Sequence, residues 1–297
     1  MLQTSIQFLL AVATVFFLLC GNSVAQQLIS FNATEAGTPE RNATLTLPKT
    51  PAPAGQKSAA VVLLHSKGGW EWPVTAQYAG ALREAGFVVL ELRLFNNARA
   101  APPVLTQLPA LHDALRYLAA REDVDGTRIG VAGFSYGGTL ALHAAAAWAQ
   151  ATQAQATQAK TPQLKFAAHA PFYPVCWAFA ATAQGKRRPT GLPADAFANW
   201  TGAPVRIFAG GRDDYDGRDP NACAEFVASL PAGQREAFSI TLYPEATHGW
   251  DQAGATFFEP IACKGRGCTN TNEANPQITR QSIAELVGYF SKTLAPR

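Results

Sequence analysis

The chain has 297 residues, 48% of them hydrophobic and 15% charged, which supplies a full core for one large domain and argues against a disordered protein. Its formal net charge of +3 comes without a stripe of lysine and arginine that would gather phosphates on one face, so nucleic acid is not expected as a partner. The one basic cluster, Lys186-Arg187-Arg188, stands in a Gly/Pro-containing loop and reads as solvated surface.

Residues 1–25 join an apolar run, Phe8 to Cys20, to the small residues Ser23 and Ala25 ahead of Gln26. This pattern predicts a signal peptide cut after Ala25, with an amino-terminal region that carries no lysine or arginine. The alternative is a lipoprotein cut before Cys20. Leu19 stands where that processing needs a small residue, which favours soluble export to a secreted or periplasmic location. The apolar run is short of the ~20 residues that span a bilayer, so no stable membrane span is expected after the leader is removed. Loss of Cys20 leaves Cys176, Cys223, Cys263 and Cys268, an even number that suits two disulfides in an exported protein. Cys263 and Cys268 bracket Lys-Gly-Arg-Gly, which can close a small ring, and this leaves Cys176 with Cys223. Free thiols in a cytoplasmic protein are the alternative. A four-cysteine zinc site normally shows close C-x-x-C pairs, and with one loose pair here no metal is expected.

Asn42 to Leu47 alternates like an exposed edge strand, and Pro48 to Gly55 is a proline-rich connector. Ala59-Ala60-Val61-Val62-Leu63-Leu64 is the most strand-like run, followed by a helix from about Pro73 to Ala85 and a second strand, Phe87 to Leu92. Strand, helix, strand at this spacing predicts a parallel pair with a right-handed crossover. Leu111, Ala114, Leu115 and Leu118 form a helical stripe within Leu108 to Ala120. Arg128 to Ala132 reads as a short buried strand, and the alanine-rich stretch from Gly138 to Trp148 as a helix. Gln150 to Lys160 is Ala/Gln/Thr-rich and reads as a helix extension and surface loop. Leu164 to His169 is another predicted strand. Phe172 to Thr201 is a long excursion with Trp177, Phe179, Phe197 and Trp200, read either as a pocket wall or partial lid or as a loop whose aromatics pack onto the core. Val205 to Ala209 and Phe238 to Leu242 complete the strands, and Gln277 to Leu294 is the closing helix.

Between the strand at Arg128 and the helix at Gly138 stands Gly133-Phe134-Ser135-Tyr136-Gly137, the pattern of a nucleophile elbow. The chain must reverse so tightly there that only glycine fits on both sides of the serine. The turn aims the Tyr136 N–H and the positive end of the helix at the place where an oxyanion forms. An elbow predicts an acid and then a histidine downstream, each after a strand. Asp213 follows Val205 to Ala209 and the pair Gly210-Gly211, with Asp214 and Asp216 as competitors. His248, in Tyr243-Pro244-Glu245-Ala246-Thr247-His248-Gly249-Trp250, is the only histidine beyond them. A serine hydroxyl needs an imidazole to take its proton, and the imidazole needs a carboxylate to fix its tautomer. The loop His65-Ser66-Lys67-Gly68-Gly69-Trp70 after the first strand is the expected source of a second oxyanion donor, with the Lys67 N–H favoured and its ammonium read as solvated. His65, His112, His143 and His169 are read as structural, because one base suffices.

Taken together, these residues make the chain resemble the dienelactone hydrolase family of the α/β-hydrolases over most of its length after the leader. The resemblance rests on Val61-Val62-Leu63-Leu64-His65 with Gly68-Gly69, Arg128 to Gly138, Phe172-Tyr173-Pro174-Val175-Cys176, Gly210-Gly211-Arg212-Asp213-Asp214 and Tyr243 to Trp250. It implies a single α/β-hydrolase domain over residues 26–297, with a mostly parallel central sheet and helices on both faces. It also implies Ser135 as nucleophile, Asp213 as acid and His248 as base, and supports pairing Cys176 with Cys223 in an exported branch. The family uses a cysteine nucleophile, and serine here points to esters more broadly rather than to dienelactone. Arg99 stands where the family can meet an acidic substrate, with a structural arginine as the alternative, and Trp70 is a candidate for contact with substrate. The expected activity is hydrolysis of small-molecule carboxylic esters through an acyl-enzyme, with no cofactor. The alternatives are a serine peptidase of the oligopeptidase kind, which normally carries an extra domain, and a non-catalytic binding protein on the same fold.

Overall fold

The computed structural model describes residues 26–296 apart from 73, 148, 150, 152–163, 187, 188 and 199. The predicted leader with Cys20, most of the Ala/Gln/Thr-rich segment and two residues of the basic cluster therefore lie outside the described residues.

Eight strands form one sheet: β1 (Gln26–Phe31), β2 (Arg41–Thr46), β3 (Ser58–Leu64), β4 (Val88–Arg93), β5 (Val124–Phe134), β6 (Ala168–Phe172), β7 (Val205–Gly210) and β8 (Phe238–Tyr243). Their order is β1-β2-β4-β3-β5-β6-β7-β8, with β1 and β2 antiparallel and every pair from β4 to β8 parallel. Every residue of β3 is buried, as a central parallel strand covered on both faces requires. Its side chains alternate between two cores. Ala60, Val62 and Leu64 pack with α2 (Leu108–Ala119) and α3 (Tyr136–His143), while Val61 and Leu63 pack with α1 (Ala76–Glu84) and the carboxyl-terminal helix Pro276–Thr293. The mostly parallel sheet with helices on both faces is thus present as expected.

Three boundaries differ from the sequence reading. The strand expected at 164–169 is β6, three to four residues later, and takes in Phe172, with which the excursion was expected to start. The α-helix after Ser135 ends at His143, and β5 starts four residues earlier than expected, at Val124. The long excursion after β6 contains α4 (Cys176–Ala183), whose Phe179 packs with Phe197 and with Phe226 of α5 (Ala222–Ser229). A separate antiparallel hairpin, β9 (Ala255–Glu259) with β10 (Cys268–Asn272), stands outside the main sheet. Disulfides join Cys176 to Cys223, tying α4 to α5, and Cys263 to Cys268, closing the end of the hairpin. No helix among the described residues is long and apolar enough to cross a membrane.

Candidate active site

Ser135 follows β5 directly and precedes α3, with φ 53° and ψ −109°, a conformation costly for any residue with a side chain. A Cβ on Gly133 would run into the Gly137 carbonyl, and one on Gly137 into the Leu64 carbonyl, so strand and helix close this tightly only around glycine. The Ser135 N–H donates to the Phe172 carbonyl at 3.0 Å, and its own carbonyl accepts from the Thr139 N–H at 2.8 Å, which pins the turn. Tyr136 is the first residue of α3, so its N–H has no acceptor within the helix, and the positive end of the helix faces the serine.

His248 lies in the turn after β8, with Nε2 2.8 Å from Ser135 Oγ and Nδ1 2.8 Å from Asp213 Oδ2. An ionised carboxylate only accepts, so Nδ1 carries the hydrogen and Nε2 turns a lone pair to the serine. The second oxygen of Asp213 accepts the Tyr215 N–H at 2.8 Å, leaving this carboxylate fixed from both sides. Asp213 and His248 are 1% and 3% exposed. The imidazole stands between the rings of Tyr215 and Tyr173, with centroids 4.2 and 4.8 Å away. Tyr173 is held in turn by its hydroxyl, which donates to Asp251 at 2.6 Å. Both competing aspartates are engaged elsewhere. Asp214 pairs with Arg218 at 2.7 Å and accepts the Thr271 N–H at 2.9 Å, while buried Asp216 accepts the N–H groups of Cys176 and Trp177 at the start of α4. Burial, and then the charge of Asp213, push the Asp216 carboxyl upward.

Lys67 sits in the turn after β3, and its ammonium lies 3.3 Å from the buried carboxylate of Glu259 on β9, rather than in solvent alone as the sequence suggested. His65 fixes this turn: Nε2 accepts the Leu94 N–H at 3.1 Å, which puts the hydrogen on Nδ1, facing the Ser66 carbonyl at 2.9 Å. Burial holds that ring down at about 4, so it is neutral at pH 7. His169, by contrast, is buried within the sheet against the Ala141 carbonyl at 3.0 Å.

Two chambers meet at the serine. One, of about 510 Å³, is bordered by Trp72, Arg99, His248, Gln252, Phe257 and Phe258. The other, of about 410 Å³, lies over α3 and is bordered by Tyr136, Thr139, His143, Val175, Phe179 and Thr190. Lys67, Ser135, Tyr215 and Glu259 border both. The excursion after β6 is therefore a chamber wall, and its aromatics also pack onto the core. Arg99 borders the first chamber and makes no ion pair with a carboxylate among the described residues. Trp70 does not border either chamber, which corrects the sequence reading. The Trp70 N–H bonds to the Phe95 carbonyl and its ring lies 4.2 Å from the Arg93 guanidinium, so it is the half-exposed Trp72 that reaches the rim. Sequence reasoning also missed Tyr173, Tyr215 and Glu259, none of which carries a spacing signal. The two tyrosines stand beside recognised motifs, and that adjacency is the one clue the sequence offers.

A family profile described as the alpha/beta hydrolase family matches residues 61–281, most of the chain. The chain belongs to the alpha/beta hydrolase family. No curated protein matches it. Among solved structures, it is similar to Thermogutta terrifontis esterase 2 phosphoramylated by tabun, at 16% identity and a TM-score of 0.61, covering 92% of this chain and 97% of that one. Est1E from Butyrivibrio proteoclasticus with bound ferulic acid matches at 13% identity and a TM-score of 0.60, covering 90% of this chain and 100% of the other. A dienelactone hydrolase-like promiscuous phosphotriesterase from metagenomic libraries matches at 14% identity and 0.59, covering 90% and 98%. At these identities the likeness concerns the fold.

Proposed function

We propose that this alpha/beta hydrolase is a serine hydrolase of small carboxylic esters working through an acyl-enzyme. The observation that carries the reading is the unbroken chain of 2.8 Å contacts from Ser135 through His248 to Asp213 at a strained elbow. Ser135 Oγ attacks the ester carbonyl while His248 Nε2 takes its proton, and Asp213 stabilises the imidazolium without accepting the proton itself. The N–H groups of Tyr136 and Lys67 receive the oxyanion. As the intermediate collapses, the C–O bond to the alcohol breaks and Nε2 returns the proton to the leaving oxygen. Water then repeats the sequence on the acyl-enzyme and frees the acid. His248 borders the larger chamber and not the other, so the alcohol half lies with Arg99 and Trp72 and the acyl half lies over α3.

A neighbour described as an esterase supports this reading, as does the ferulic acid bound to Est1E, another neighbour. We take residues 26–297 as the catalytic unit. The two disulfides suit an oxidising compartment, in keeping with export after removal of residues 1–25. No observation favours the peptidase or the non-catalytic alternative. The test is labelling with a fluorophosphonate: one adduct on the protein and none on Ser135→Ala is expected. An unlabelled protein, or a preference for peptide anilides over 4-nitrophenyl esters, overturns the proposal.

A further inference from the structure

Of the seven large apolar side chains that stand exposed among the described residues, four, namely Trp72, Phe257, Phe258 and Ile261, border the two chambers at Ser135. Apolar side chains scattered singly over a surface need no partner, whereas apolar bulk gathered round a cleft marks a place where apolar material binds. The fold turns two of the four toward the larger chamber. Trp72 lies back over the turn after β3, so close that a Cβ on Gly68 would run into its side chain. Phe257 lies on β9, where alternate residues share a face, and so points the same way as Ala255 and Glu259. Glu259 fixes that direction: its buried carboxylate accepts from the Tyr215 hydroxyl and pairs with Lys67, each at 3.3 Å, and all three border both chambers beside Ser135. Trp72 and Phe257 are nonetheless 44% and 40% exposed, so each keeps ring surface in contact with water that a ligand in the chamber would remove.

Arg99 excepted, the polar side chains of this chamber are engaged within the protein. The Gln252 carbonyl accepts from Ser66 Oγ at 3.3 Å, its amide donates to the Tyr173 hydroxyl at 3.2 Å, and the Asn272 carbonyl accepts from Asn270 at 2.8 Å. What these walls offer is chiefly apolar surface. His248 returns its proton to the leaving alcohol and borders this chamber and not the smaller one, so the surface meets the alcohol half of an ester. A volume of about 510 Å³ is in the range that holds a drug-sized ligand and far exceeds a methyl or ethyl group.

Resting on the ester-hydrolase reading above, we infer that Trp72 and Phe257 are specificity residues of the alcohol chamber, selecting esters whose alcohol is bulky and apolar, such as an arylalkyl group, over esters of short or hydroxylated alcohols.

The test compares 3-phenylpropyl acetate with propyl acetate. The added ring stands three carbons from the ester oxygen, so the two leaving alcohols are nearly equal in acidity and the ratio of their kcat/KM values reports the chamber. A ratio of about tenfold in favour of the first is expected, the worth of covering part of one ring. Trp72→Ser and Phe257→Ser should each lower the ratio to about threefold, and the double variant to about one; both side chains reach solvent, so the fold is expected to tolerate the changes. A ratio near one in the unaltered protein overturns the inference, as does a tenfold ratio that survives in the double variant. So does a higher kcat/KM on 2,3-dihydroxypropyl acetate than on 3-phenylpropyl acetate, which would assign the chamber to a polyol. A rate that rises only once 3-phenylpropyl acetate passes its solubility limit would assign the rim to an aggregated substrate surface and overturns it too. Failure to hydrolyse even 4-nitrophenyl acetate instead sinks the ester-hydrolase reading. Saturation-transfer NMR of 3-phenylpropan-1-ol then decides the rim: transfer to its phenyl protons that the double variant loses supports the inference, and absent or undiminished transfer overturns it.

Discussion

At Ser135 a strained backbone, two glycines and a helix terminus act on one hydroxyl. On the proposed mechanism, replacing Ser135 removes the chemistry while leaving the fold almost untouched, because the side chain lost is small. Ser135→Ala is expected to lower kcat on 4-nitrophenyl acetate by about 10⁴-fold or more with an unchanged melting temperature. Asp213→Asn keeps the shape and offers the imidazole the wrong partner; a loss of about 10⁴-fold is expected, and full activity in this variant would remove Asp213 from the mechanism. The three side chains that the fold brings together, Ser135, His248 and Asp213, could be picked out in the sequence because each sits after a strand at a glycine-marked turn. The choice of Asp213 over Asp214 and Asp216 came from the family resemblance and not from spacing, since all three share one loop; the fold shows Asp214 drawn off by Arg218 and Asp216 by the start of α4. Tyr173 and Tyr215 stayed hidden for a similar reason. Their contact with the imidazole depends on where two distant loops meet.

Among the elements, the strands buried on both faces announced themselves as unbroken apolar runs, and β3 is the clearest of them. Among those exposed on one side or at an edge, β2 and β8 were read from their alternation, whereas β1 and β9 were not. β1 and β9 each leave three or more of their residues exposed, and their pairing is set by partners rather than by their own composition. The two disulfides act on elements that wall the chambers, and loop-closure entropy ranks them. Cys176 and Cys223 are 47 residues apart, Cys263 and Cys268 only 5, which corresponds to about 4 and about 2 kcal/mol of stabilisation. Replacing both cysteines of the first pair by serine should therefore lower stability by roughly twice as much as the same change in the second, read from denaturant unfolding. Equal losses would mean that strain or residual structure outweighs chain entropy.

Across the whole molecule, buried titratable groups set the response to acid. Burial holds His65, His112 and His169 down at about 4 and His143 at about 3, against 6.5 in the unfolded chain. Between those values the unfolded chain takes up protons that the folded one refuses, so stability falls as pH drops from about 6.5 towards 4. Asp251, pushed up to about 6 by burial, acts in the opposite sense, as does Asp216: the folded carboxyl keeps a proton that the unfolded one has released. The four imidazoles outweigh them, and the melting temperature at pH 5 is expected about 10 °C below that at pH 7.5. A flat or rising profile on acidification would show that these rings are not buried neutral.

The β9–β10 hairpin contributes nothing to the ladder of the main sheet, yet it brings Phe257, Phe258 and Glu259 to the rim of the cleft, with Phe258 68% exposed. Its own bridge, Cys263–Cys268, lies inside it. Phe257 and Phe258 take no part in the contacts among Ser135, His248 and Asp213, whereas Glu259 pairs with Lys67 and bonds Tyr215, and the Thr271 N–H is held by Asp214. Diversification of what this scaffold accepts is therefore cheapest at the two phenylalanines, and on the proposed mechanism a graft of 255–258 from a relative should transplant preference for the alcohol portion while the turnover chemistry stays behind.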